Sequence, residues 1–184
     1  MVDGVIEEIS NLHISIKALN DGYIEIWKKE MVLTWRWWLN VALLILPWFF
    51  WLIFRRKECT NRLLLAGLFV YVLTSVLDSV GVAFGLWMYA YTPLPYIHSF
   101  FMPWDFSSFP VMVMFLIQYK PNANPYIKAI IFACISAFLF EPIFVQLKVY
   151  KPLHWEHYFS FPFYFLIYVI AHRVSRRGNF EKIT

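Results

Sequence analysis

The sequence predicts an all-α fold, a polytopic transmembrane helical bundle of about five spans, and three observations lead there. The 184 residues are 60% hydrophobic and 21% aromatic with only 15% charged, and the mean hydropathy is +0.56, well outside the composition of a soluble domain. Apolar runs of about 20 residues, the length that crosses a hydrocarbon layer as a helix, recur along the chain. Lys and Arg gather in short clusters at the ends of those runs. An ordinary cytosolic protein is thereby excluded, and little length remains for a soluble catalytic domain. The formal net charge of +4 becomes a topology signal, with no nucleic-acid partner implied. Cys59 and Cys134 offer neither a disulfide framework nor a metal-ligand spacing.

The elements follow in order. Residues 1–30 form an amphipathic surface region: Ile6, Ile9, Leu12, Ile16 and Leu19 share one helix face. Asn20-Asp21-Gly22 reads as a turn before a second short helical pattern through Trp27. The acidic first residues do not resemble a signal peptide. Residues 31–172 form the bundle. Span one, about 35–54, opens on Trp35, Trp37 and Trp38 and ends at Arg55-Arg56-Lys57, with a kink expected at Pro47. Span two, about 63–90, exceeds what a layer of about 30 Å requires, so it should tilt, bend or project. Spans three, four and five are placed at 103–119, 127–147 and 156–172, before a basic tail at 173–184.

Placing 55–62 inside puts Arg55, Arg56, Lys57, Arg62, Lys120, Lys128, Arg173, Arg176, Arg177 and Lys182 on that side, ten of the sixteen bases. This bias favours an N-terminus outside and a C-terminus in the cytoplasm. Two stretches also resemble each other. Asp78, Tyr91-Thr92-Pro93-Leu94 and Ser108-Phe109-Pro110 are matched by Glu141, Tyr150-Lys151-Pro152-Leu153 and Ser160-Phe161-Pro162. The similarity is compatible with a parallel two-helix repeat, or with chance in a chain so rich in Phe, Tyr and Pro.

Against this apolar background the acids Asp78 and Glu141 stand out. Asp78 lies sixteen residues beyond Arg62, about 24 Å along a helix, and Glu141 lies thirteen beyond Lys128, about 20 Å. The two carboxyls therefore share a depth in the outer part of the bundle and can face one another. An ionisable group there costs several kcal/mol unless paired, neutralised or hydrated, which makes a functional site the leading reading. The competing reading is packing, with Ser75, Ser79, Gln146 or tyrosine hydroxyls as hydrogen-bond partners. Pro142 removes a helix hydrogen bond beside Glu141 and can open a polar pocket. Asp105 either caps the start of span three or is a third site acid. His154 and His157 can share a helix face with Glu156 between them, a weak metal pattern better explained by an interfacial network. No metal and no cofactor is expected. Arg36 should snorkel or stack on an aromatic ring. Gly81 and Gly85 form a small-x3-small face suited to close helix packing. Trp87, Tyr89, Tyr91, Trp104 and Trp155 would surround the mouth of an acid-lined pocket, with Gln146 and His157 as further ligand-binding candidates. Such a mouth suits an apolar or cationic ligand.

Two resemblances rest on these residues. Trp35-x-Trp37-Trp38, the basic stop after span one, Asp78 with Gly81 and Gly85, Trp87-x-Tyr89, Pro103-Trp104-Asp105, Phe140-Glu141-Pro142 and the Trp155 to Pro162 region resemble a family of small uncharacterised multi-span membrane proteins of spore-forming Firmicutes. That resemblance implies a bacterial cell membrane or a spore membrane. Gly85-Leu86-Trp87 and Pro103-Trp104-Asp105 more faintly resemble the integral-membrane lycopene and terpene cyclase domains. There the pair is glutamate-rich, whereas this chain carries one aspartate. The second resemblance implies that Asp78, Asp105 or Glu141 acts as a general acid on an alkene or epoxide, with aromatic rings stabilising the carbocation.

Three functions follow: a binding protein or enzyme for an isoprenoid-like or lipid molecule, a small proton-coupled transport or relay protein, or an accessory subunit. The partners implied are membrane lipid, an apolar small molecule, and a second copy or another membrane protein. The sequence leaves open whether the chain is an enzyme.

Overall fold

The computed structural model describes residues 2–177, so most of the expected basic tail lies outside the described residues. Helix α1 spans Val2–Ile26 and continues as a π-helical turn over Trp27–Met31. The turn expected at Asn20-Asp21-Gly22 does not form. Those residues stay helical, and Lys17 pairs with Asp21 one turn on at 2.6 Å. The face carrying Ile6, Ile9, Leu12, Ile16 and Leu19 is exposed. The end of this arm is anchored to the body by the Trp27 indole, which donates to the Thr92 carbonyl at 2.7 Å.

Helix α2, Trp35–Phe54, begins where the Thr34 hydroxyl accepts the Trp37 N–H, and it continues through Pro47. A single 3-10 turn, Lys57–Cys59, leads into α3, Thr60–Ala83. The second span was expected to reach residue 90, but the helix stops at Ala83. Gly85 adopts φ +66°, its N–H reaches the Val82 carbonyl, and the Leu86 N–H reaches that of Gly81. These are the two bonds of a Schellman stop, which a glycine permits because the left-handed region costs it no Cβ clash. Gly85 thus ends the helix, in place of the packing role expected of it. Gly81 does pack closely, but against an indole from the following segment, as described below.

After the stop the chain forms β1, Trp87–Tyr89. A π-helical turn over Pro103–Ser108 then leads into α4, Phe109–Gln118. Helix α5, Pro125–Ile135, passes through a π-helical turn, Ser136–Phe140, into α6, Glu141–Gln146. Strand β2, Tyr150–Pro152, pairs antiparallel with β1 in the register Trp87 to Pro152 and Tyr89 to Tyr150. Helix α7, His157–Arg176, closes the bundle. The two Y-x-P-L exits therefore differ in structure: Tyr150 lies in a strand, whereas Tyr91 follows one with φ +57°.

The fold is all-α apart from this small ribbon. Among the described residues three helical segments, Trp35–Phe54, Lys57–Ala83 and Pro125–Gln146, are long and apolar enough to cross a membrane, in place of the five expected. The other two fall short for different reasons. The α4 segment is short and is the buried centre of the bundle, with Phe109, Val113 and Met114 inaccessible. Helix α7 has 20 residues but carries His157, Ser160, Tyr164, His172 and two arginines. Gly67 lets α3 approach α4, because a Cβ there would lie 2.8 Å from the Met114 sulfur. At the far end from the ribbon, the Lys128 ammonium donates to the carbonyls of Leu116, Tyr119 and Lys120, which closes the exposed C-terminus of α4. Arg176 donates to the Pro121 carbonyl in the same turn.

Candidate functional site

The ribbon end of the bundle encloses a cavity of about 230 Å³ between α3, α7 and the two acid-bearing turns. Three carboxyls line it. Asp78 comes from the last turns of α3, and the segment that Gly85 turns back supplies its donors. The Trp87 indole and the Tyr89 hydroxyl both donate to Oδ1, at 2.6 and 2.7 Å. The Phe101 N–H donates to Oδ2 at 2.7 Å. Of the partners expected for the acids a tyrosine hydroxyl is present, that of Tyr89, whereas the buried Ser75 hydroxyl has no partner among the described residues.

Asp105, 3% exposed, sits in the π-helical turn and accepts the same Phe101 N–H at 3.1 Å. The two carboxyl groups thus converge on one backbone N–H, and Asp105 belongs to the site and adjoins the start of α4.

Glu141 approaches from the opposite wall. Its backbone N–H reaches back five residues to the Ser136 carbonyl, the widened spacing of a π turn. Pro142, which has no N–H to give, follows directly and leaves the normal helix ladder incomplete there. Tyr164 donates to Oε1 at 2.6 Å and His157 Nδ1 meets Oε2 at 2.8 Å. Ser160 adds a further side-chain contact and in turn accepts the Trp155 indole N–H at 2.8 Å.

Aromatic faces complete the walls. Trp87 meets Trp155 edge to face at 5.0 Å, and Tyr89 stacks on Phe101 at 4.8 Å. Burial, and then the nearby Asp78, hold the Tyr89 phenol well above its usual range, so it remains a hydrogen-bond donor. Burial beside Glu141 and Asp78 raises Tyr150 as well. Neither Lys nor Arg occurs among the described residues that line the cavity.

Of the residues singled out in the sequence, Asp78, Asp105, Glu141, Trp87, Tyr89, Trp104 and Trp155 line this one cavity, and His157 stands behind Glu141. Tyr91 and Gln146 do not line it. Tyr91 is turned away: Asn40 holds its carbonyl, and its ring lies 5.1 Å beneath the Arg36 guanidinium. Arg36 also covers the Trp35 ring and donates to the Leu147 carbonyl. Gln146 lies five residues past Glu141, about 140° around the helix. His154 bonds to the Gly85 carbonyl, away from His157. Among the described residues no three His, Cys, Asp or Glu side chains gather as a metal site would require.

The sequence reading missed Thr74, Phe101, Tyr150, Ser160 and Tyr164. A signal existed for two of them, since His157, Ser160 and Tyr164 follow one another at three and four residues and so share one helix face. Comparison with protein-family models, with curated proteins and with solved structures found no match for this chain.

Proposed function

We propose that this protein binds an apolar, isoprenoid-like or lipid molecule taken directly from the bilayer and holds its polar or reactive group against Asp78, Asp105 and Glu141. One observation carries the reading: a carboxyl-lined cavity has lipid-facing side chains at its edge. Leu77, Val80 and Phe163 line the cavity and are 36%, 48% and 44% exposed on the apolar flank between α3 and α7. A molecule dissolved in the hydrocarbon layer reaches the acids through that flank without crossing water.

The chemistry in view is proton transfer from a carboxyl group to an electron-rich carbon of the substrate. The cation so formed faces the rings of Trp87, Trp155 and Tyr150, and the carboxylate left behind takes a proton back as product forms.

Among the described residues three helical segments are long and apolar enough to cross the membrane, and the turns between them set their direction. Strands β1 and β2 follow α3 and α6 and pair with each other, so α3 and the α5–α6 rod run in the same direction. The intervening α4 segment must then return, and α7 follows β2 back to the Lys128 and Arg176 end. The basic clusters make that end cytoplasmic and the cavity end outer, in a bacterial cell membrane or spore membrane.

The test is mass spectrometry of molecules retained when the protein is extracted into lipid nanodiscs without detergent. The wild type should carry one amphiphile enriched over the surrounding lipid, and Asp78→Asn and Glu141→Gln should lose it. A lipid profile identical in all three would sink the reading.

A second reading, a proton relay, is favoured by one contact. His157, whose side chain is 29% exposed, bonds to the buried Glu141 and so links it to water at the outer end. Proton flux in liposomes that His157→Gln abolishes would support it.

A further inference from the structure

We propose that the preferred occupant of the cavity is a lipophilic cation, an amine-headed amphiphile whose ammonium group lies between the Asp78–Asp105 pair and the aromatic wall. The proposal rests on the binding site described above and names the class of ligand it selects.

Charge accounting supports it first. The Asp78 oxygens accept three hydrogen bonds, and the Phe101 N–H that makes one of them is shared with Asp105, the hydrogen-bonding pattern of a carboxylate. Glu141 has the His157 imidazole at 2.8 Å, whereas the donors to the aspartate pair among the described residues are an indole, a phenol and a backbone N–H, all neutral. With no Lys or Arg among the described residues that line the cavity, an uncompensated charge in an apolar layer is costly, and a bound cation compensates it.

The walls are independent of the acids and point the same way. The indoles of Trp87, Trp104 and Trp155 and the phenol of Tyr150 all border the cavity. Such rings attract an ammonium group most strongly where water is excluded.

Size and access fix the remaining features. A cavity of about 230 Å³ is many times the roughly 10–15 Å³ that one water needs by the same measure, so an ammonium head and the first carbons of its chain fit. The tail then leaves past the exposed apolar side chains of Leu77, Val80 and Phe163 into lipid.

The experiment compares radiolabelled decylamine with decanol, its neutral counterpart, on the full chain in phosphatidylcholine nanodiscs, corrected for uptake by empty discs. Decylamine should bind roughly tenfold or more tightly than decanol, as a desolvated cation beside aromatic rings requires. The double substitution of Asp78→Asn with Asp105→Asn should bring the two within about twofold, because the acids that select the cation are then gone. Val80→Trp, a change at a lipid-facing position that leaves the acids in place, should block both ligands. Equal binding of amine and alcohol to the wild type would overturn the cation proposal and leave the binding site standing. So would an amine preference that survives both Asp105→Asn and Asp78→Asn. If neither compound binds the wild type, or Val80→Trp blocks neither, the binding site itself falls with the proposal.

Discussion

Gly81 lies directly beneath the indole of Trp87: a Cβ added to the glycine would fall 2.1 Å from the ring. That contact seats the indole where its N–H reaches Asp78. The ring cannot yield without giving up the carboxylate. Gly81→Ala should therefore displace Trp87 and destabilise the protein by about 1–3 kcal/mol, the range for forced overpacking. Thermal unfolding in detergent reads the loss. An unchanged midpoint would show that the indole does not need this seat.

Gly85 makes a contrasting case, since nothing lies within 4 Å of the place its Cβ would occupy. Its cost is conformational. At φ +66°, Gly85→Ala should lose about 1–2 kcal/mol, and Gly85→Asn less, because asparagine tolerates this region better. Equal losses for the two substitutions would contradict the Schellman stop.

Lys128 closes three carbonyls at the C-terminal end of α4. Replacing it with Met leaves them without a donor and should cost about 1.5–3 kcal/mol, as for hydrogen bonds to a charged group. Ligand binding at the opposite end should not change. A variant that unfolds normally but binds poorly would mean the two ends are coupled.

Tyr89 gives a pH dependence with a definite sign. Its phenol holds its proton above the ordinary value of 10.0 because it is buried and faces Asp78. The unfolded chain releases that proton first, so the contribution to stability is complete below about pH 10 and falls as the pH rises beyond it. The unfolding midpoint should drop above pH 10, and less steeply in Tyr89→Phe. Identical slopes would remove Tyr89 from the network.

Orientation is open to a labelling test. Cys59 stands at the basic end in the turn before α3. In a Cys134→Ala background, a membrane-impermeant thiol reagent should label Cys59 only after cells are permeabilised. Labelling of intact cells would invert the topology.

What could be read from the sequence was depth along the helices, and what could not was direction around them. Fifteen to twenty-five apolar residues place a helix, and a rise of about 1.5 Å per residue put Asp78 and Glu141 at one level. Both indeed line one cavity. Lipid and protein core are equally apolar, so hydrophobic periodicity does not say which face of a membrane helix turns inward. Gln146 reads as a hydrogen-bonding partner for the acids and is exposed in the structure for that reason. Tyr164 looked like aromatic filler for the same reason. The donor that joins Asp78 to Asp105 is the backbone N–H of Phe101, in an irregular segment with no periodic pattern to reveal it. The end of α3 was legible in principle, because Gly85 is a helix stop, but two glycines four residues apart also read as a packing face. The proline signals served better: Pro142 directly follows a π-helical turn, and Glu141 lies between them.

The most direct test of a lipid-fed, acid-lined cavity is to map where a bilayer-resident alkyl diazirine crosslinks the wild-type protein in nanodiscs. Phe101 and Phe144, buried residues that line the cavity, should be labelled, and Val80→Trp should abolish that labelling while sparing the exposed Leu68 and Val72 of α3. Labelling confined to the outer faces of the helices in the wild type, with none on Phe101 or Phe144, would contradict the account.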